Sequence, residues 1–173
     1  MKTLWELMSW VSEKKRFETI GDYVEFAKYY LEFIETELQA ELVAKNENNY
    51  RFFQYRRDGE YNITRPVNSE LFFKLAEYES IAPDFEKILT NIRDIKDDEE
   101  ARGKINNFIY TTQQTIGCAL DALPSSKTNT SRKVNGDLFE RLMQMIIRQL
   151  GFTIDSETLS VPVPKSVEKM NYQ

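Results

Sequence analysis

Apolar positions recur at three- and four-residue spacing along most of this chain, which predicts a mainly α-helical protein. Helices are expected over residues 2–15, 22–45, 69–80, 84–95 and 98–123. The second of these has one aromatic-rich face, made of Tyr23, Phe26, Ala27, Tyr30, Ile34 and Leu38. Its glutamates fall largely on the other side. This helix should therefore pack its aromatic face inward and turn an acidic face to solvent.

One segment departs from the helical spacing. Residues 50–65 are rich in aromatic and β-prone side chains around an Asp58-Gly59 turn signal, and they predict a β-hairpin. This hairpin carries four arginines: Arg51, Arg56, Arg57 and Arg65. Arginines among aromatics on a two-stranded ribbon suit contact with a DNA groove or backbone. The alternative is that the aromatics pack in the core and the arginines extend into solvent.

The composition changes at residue 124. Residues 124–135 form a polar, basic linker that includes Lys127, Arg132 and Lys133 among serines and threonines. Short polar and basic side chains of this kind are well suited to contacts with phosphates. The alternative is a solvated hinge without a ligand.

A capped helix should follow the linker. Asp137 is placed to act as N-cap, with Glu140 at the capping-box position. At the other end, Gly151 and Phe152 predict a Schellman stop in which glycine adopts a left-handed conformation. Beyond it, residues 153–163 alternate enough to predict one or two short strands.

These boundaries divide the chain into a helical N-terminal domain (1–123), the linker (124–135) and the start of a second layer (136–173). The last helix has an apolar face wide enough to lie against a sheet. If no such sheet covers it, residues 136–173 should be less stably folded than residues 1–123.

The segment Asn129 to Glu140, followed by a helix ending in Leu150-Gly151-Phe152, resembles the opening helix of type II restriction endonucleases with the PD-(D/E)XK nuclease fold. The resemblance implies that an α/β core begins at this helix. It also implies hydrolysis of double-stranded DNA with Mg²⁺, and a homodimer that matches a palindromic site. For Glu140 it implies binding of a metal-bound water near the catalytic centre, and the alternative is that Glu140 only caps its helix.

The family's Pro-Asp and Glu-x-Lys catalytic motifs should come after this helix, and residues 152–173 do not contain them. The chain is therefore expected to be the N-terminal part of such an enzyme and to be inactive by itself. An earlier match, Pro83-Asp84 with Asp94-Ile95-Lys96, is rejected because its surroundings have helical spacing, whereas this chemistry needs residues converging from adjacent strands.

Composition excludes several other kinds of chemistry. The chain has no histidine, so Ser-His and Cys-His catalysis are impossible within it. Its one cysteine, Cys118, allows neither an internal disulfide nor a zinc site, and it fits a reducing cytoplasm. A metal could be held only as a hard cation on carboxylates. No apolar run is long enough to cross a membrane.

The net charge of −5 is unevenly distributed, with acidic residues in excess over 1–123 and basic residues in slight excess over 124–173. Local basic groups can attract DNA despite an acidic total, because the local field acts on the phosphate backbone. The alternative function is a non-enzymatic helical module that binds a protein partner through its acidic face.

Overall fold

The computed structural model describes residues 2–13, 16–36, 43–44, 50–57, 60–123, 128–155 and 158–160. Within these ranges only the backbone is described at residues 43–64, 128 and 155–160. The fold is mainly helical, as the spacing predicted. The helices are α1 (Leu4–Ser12), α2 (Ile20–Thr36), α3 (Leu75–Ile81), α4 (Phe85–Thr90), α5 (Glu99–Asp121) and α6 (Thr128–Gln149). The strands are β1 (Val43–Ala44), β2 (Tyr50–Arg57), β3 (Glu60–Asn68), β4 (Thr153–Asp155) and β5 (Thr158–Ser160).

The predicted hairpin is confirmed. Strands β2 and β3 pair antiparallel, from Arg57 opposite Glu60 at one end to Tyr50 opposite Asn68 at the other. The short strand β1 extends this sheet along the free edge of β2. The turn signal at residues 58–59 lies outside the described residues. Strands β4 and β5 form a second antiparallel pair after α6, in the region where short strands were predicted.

Helix α5 lies at the centre of the packing and contacts α1, α2, α6 and β3. The predicted aromatic face of α2 is confirmed for Tyr23, Phe26, Ala27 and Tyr30, which are fully buried, whereas Leu38 lies outside the described residues. The predicted extent of this helix to residue 45 is wrong, because Val43–Ala44 form strand β1. Cys118 on α5 is also fully buried, in agreement with a packing role. One connected core therefore joins the N-terminal helices and α6.

The predicted start of the last helix is wrong. Helix α6 begins at Thr128, so residues 128–135 of the expected linker are helical and Asp137 is not an N-cap. The reason lies in the packing: Ser131 and Val134 are buried and continue the spacing of Leu138. Tertiary burial of these positions outweighs the weak helix propensity of the Ser, Asn and Gly residues around them.

The predicted helix stop is confirmed. Gly151 has a φ of 85°, a left-handed conformation that a side chain disfavours. Its N–H donates to the carbonyl of Arg148 (2.9 Å), and the N–H of Phe152 donates to the carbonyl of Ile147 (3.2 Å). These two hydrogen bonds are those of a Schellman motif.

The apolar face of α6 is covered by the N-terminal helices. The hydroxyl of Tyr23 donates to the carbonyl of Leu138 (2.9 Å), and the guanidinium of Arg141 donates to the carbonyl of Phe17 (3.2 Å). The expectation that residues 136–173 fold less stably rested on an uncovered face, and that premise is wrong for this side of α6. The division of the chain into an N-terminal domain and a nuclease core stays a prediction.

The rejected motif match also lies on helical structure. Pro83 and Asp84 belong to a 3₁₀ turn (Ala82–Asp84), and Asp94 and Ile95 belong to another (Ile92–Ile95). These side chains therefore do not converge from adjacent strands as the nuclease chemistry requires. Among the described helices, none is both long enough and apolar enough to span a bilayer.

Candidate nucleic-acid interface

The β2–β3 hairpin is fixed to α5 at its base. Val67 is almost fully buried, and the N–H of Asn68 donates to the hydroxyl of Tyr110 on α5 (2.8 Å). Further along β3, Arg65 reaches Asp121 at the end of the same helix. The strand, followed from Asn68 back toward Glu60, therefore runs toward the C-terminal end of α5.

Arg65 and Asp121 form a two-pronged ion pair. The Nε atom of Arg65 lies 2.8 Å from Oδ2 of Asp121, and Nη2 donates to Oδ1 at 3.2 Å. Burial lowers the pKa of Arg65, but the hydrogen bonds and charge of Asp121 outweigh this effect, so the pKa lies above its ordinary value. Arg65, which the hairpin pattern placed among possible DNA contacts, is thus engaged within the protein.

The guanidinium of Arg65 lies directly over Gly117. A methyl group at this position would overlap the guanidinium, so the absence of a side chain makes room for the ion pair. Sequence reasoning missed this arrangement because Arg65 and Asp121 are 56 positions apart and belong to different predicted elements.

Both predicted basic groups lie on elements that adjoin the C-terminal end of α5: the hairpin, through Arg65, and helix α6, through the chain. Strand β2 carries Arg56 and Arg57 at the end of the hairpin remote from its base. Helix α6 begins shortly after α5 ends, and Arg132 and Lys133 are exposed on its first turns. Lys127 lies outside the described residues, as do the side chains of Arg56 and Arg57.

Glu140 lies on the exposed side of α6, about 10 Å along the helix axis from Lys133 at 1.5 Å per residue. Its Oε1 accepts a hydrogen bond from Nε2 of Gln144 (3.1 Å). Because α6 begins twelve positions earlier, at Thr128, Glu140 does not cap it. In the described part of the chain, no three potential ligands group together to hold a metal ion. Glu140 would therefore offer a single carboxylate, which does not make a Mg²⁺ site by itself.

A second apolar line runs along α6 beside Glu140. Phe139 is 40% exposed, and Met143 and Ile147, which follow at four-residue intervals, are only partly buried. Residues four apart lie on one side of a helix. The N-terminal helices thus bury one face of α6 fully and this line only in part, since Met143 packs against the core whereas Phe139 stays exposed.

An acidic groove lies on another part of the surface. It has a volume of about 270 Å³ and is lined by Glu25, Glu32 and Glu79, together with Lys28. Lys28 forms an ion pair with Glu79 (3.3 Å). The predicted acidic face of α2 therefore continues onto α3, which also contributes Glu79 to the groove.

No protein-family model matches the chain, and no curated protein matches it. Among solved structures, it is similar to the crystal structure of the Type IIP restriction endonuclease Kpn2I, with 22% sequence identity and a TM-score of 0.58. The match covers 85% of this chain and 48% of that one, so this chain spans about half the length of its structural neighbour. The likeness shows a restriction endonuclease-like fold over this region.

Proposed function

We propose that this chain is the N-terminal part of a sequence-specific endonuclease that acts on double-stranded DNA. The fold it shares with part of a restriction endonuclease supports this proposal. The observation that carries it is that the hairpin, with Arg56 and Arg57, and helix α6, with Arg132 and Lys133, both adjoin the C-terminal end of α5. Two elements that extend from one support suit contacts with a duplex backbone on either side of a groove.

The local charge at this end favours phosphate binding. Arg132 and Lys133 are exposed, and neither forms an ion pair with the described carboxylates that would neutralise it. The acidic groove beside α2 and α3 lies on other elements. A negative total charge does not by itself prevent phosphate binding, because salt confines the effect of each exposed charge to about 8 Å at physiological ionic strength.

The remaining apolar line of α6 suits the start of an α/β core. The exposed parts of Phe139 and Ile147 would be covered by a sheet packed along this line of α6. Glu140, beside this line, would then face that core. Hydrolysis with Mg²⁺ and a homodimer at a palindromic site belong to the proposal for the complete enzyme, since the described residues form no metal site of their own.

The proposal is tested by measuring the affinity of the chain for a DNA duplex at several salt concentrations. Arg132→Ala with Lys133→Ala should weaken binding and reduce the slope of log K against log salt by about two, because each lost phosphate contact removes nearly one unit. A matched control is Lys87→Ala with Arg93→Ala, which removes the same charge from exposed positions. The control positions are remote from Arg132 and Lys133, because a hydrogen bond between Gln149 and Thr90 joins the end of α4 to the C-terminal end of α6.

A reduction in slope confined to the first variant supports the proposal. An equal reduction in slope for both variants would mean that binding depends on the overall charge and not on defined contacts of Arg132 and Lys133. If the chain binds no duplex, the alternative of a protein-interaction module is favoured. The acidic groove lined by Glu25, Glu32 and Glu79 would then suit a basic segment of a protein partner.

A further inference from the structure

We propose that Arg65, held by Asp121 across Gly117, is a positioning residue that sets the direction of the β2–β3 hairpin and so places Arg56 and Arg57 against the DNA backbone. This inference rests on the proposed function and deepens it. It separates Arg65, which orients the ribbon, from Arg56 and Arg57, which bind.

The geometry of the ion pair suits this role. A guanidinium that meets a carboxylate through two nitrogen atoms fixes both distance and orientation, whereas a single contact allows rotation. Here both oxygen atoms of Asp121 are engaged, at 2.8 and 3.2 Å. The pair is mostly shielded from solvent, with the side chains of Arg65 and Asp121 22% and 33% exposed, so salt screens it less than a surface pair.

The position of the pair along the hairpin also suits the role. Val67 and Asn68 fix the end of β3 near the middle of α5. A ribbon fixed at one end alone could swing about that point. Arg65 adds a second fixed point closer to the tip, at the last turn of α5, and two points on one helix define the direction of the ribbon.

The bond between Arg65 and Asp121 can be broken without a change in charge. Gly117→Ala places a methyl group where the guanidinium lies, so the guanidinium must move from its present position beside Asp121. Gly103→Ala is the matched control, because it lies on the same helix and its methyl group would meet no atom within 4 Å. Both substitutions favour the helix equally, so a difference between them reports the displaced guanidinium.

The experiment measures hydrogen exchange of the hairpin amides, together with duplex affinity as a function of salt. Gly117→Ala should speed exchange in β2 and β3 and lower the salt slope by about two units, as though both tip contacts were lost. In addition, Arg56→Ala with Arg57→Ala should weaken binding in the Gly103→Ala protein and have little further effect in the Gly117→Ala protein. If Arg65 had a purely structural role, Gly117→Ala would lower the thermal stability, but Arg56 and Arg57 would still contribute to duplex binding in that variant.

The inference is overturned if Gly117→Ala matches Gly103→Ala in hairpin exchange and salt slope while the tip arginines still contribute to binding. That result would leave the proposed function intact. If the unaltered chain binds no duplex, the proposed function and the inference fail together. Should Gly117→Ala not fold, Asp121→Asn replaces it, with Glu100→Gln as control. Glu100 forms an exposed ion pair with Lys104 on the same helix, so both variants lose one negative charge.

Discussion

Leu138→Ala tests whether α6 and the N-terminal helices form one core. Leu138 is fully buried, and its carbonyl accepts the hydrogen bond of Tyr23 on α2. Removing a fully buried leucine side chain costs about 3 kcal/mol, since it combines lost burial with the cavity left behind. With a urea dependence of about 2 kcal/mol per molar, the unfolding midpoint should fall by about 1.5 M.

The assay is urea unfolding followed by tryptophan fluorescence in a Trp5→Phe background. Trp5 is 71% exposed, whereas Trp10 is buried among Phe17, Phe26 and Tyr29 in the N-terminal helices. The remaining fluorescence therefore comes from Trp10 and reports the unfolding of the N-terminal helices, which are more than 100 positions away from Leu138 along the chain. If one core connects the two regions, Trp10 should unfold at the lowered midpoint, together with the circular dichroism of all helices.

Phe139→Ala is the matched control. Phe139 is the next residue along α6 but is 40% exposed, so its removal should cost about 1 kcal/mol or less. The reasoning is refuted if Leu138→Ala leaves the Trp10 transition unchanged while circular dichroism shows early loss of helix. Such a result would make α6 a separately folding unit.

Three further predictions concern helix α6 and its neighbours. Gly136→Ala should raise the free energy of unfolding by up to about 1 kcal/mol, because residue 136 lies inside α6 with open space around it. An unchanged free energy of unfolding would indicate that the helix begins at residue 137. Gly151→Ala should lower the free energy of unfolding by about 1 kcal/mol, measured by thermal unfolding, because the φ angle of residue 151 is positive. A stabilised variant would contradict the Schellman motif at the end of α6. Burial raises the pKa of Tyr23 to about 12. The contribution of Tyr23 to the free energy of unfolding should therefore be complete below pH 10 and be lost as the pH rises from 10 to 12. A free energy of unfolding that stays constant across this range would contradict the burial of Tyr23.

The elements with strong local signals were predicted well from sequence. The hairpin over 50–65 follows from its aromatic and β-prone composition, and the end of α6 follows from Gly151 with Phe152, because turn and cap geometry depends on neighbouring residues alone. The buried face of α2 likewise follows from its spacing. Each of these features is decided within a few positions along the chain.

The features that depend on distant packing were not predicted. The start of α6 was placed at Asp137 because the residues before it disfavour helix locally, but burial of Ser131 and Val134 against other helices decides the outcome. The ion pair of Arg65 with Asp121 gives no local signal, since an arginine in a hairpin and an aspartate at a helix end are ordinary surface residues. Both depend on which elements meet in space.

Hydrogen exchange of the chain with and without a DNA duplex tests the central claim most directly. If the end of α5 supports a DNA-binding surface, the duplex should slow exchange over 128–136 and in strands β2 and β3. The acidic face of α2, with Glu25 and Glu32, should be unaffected. Slowed exchange on α2 alone, or no change anywhere with a duplex at saturating concentration, would contradict the account.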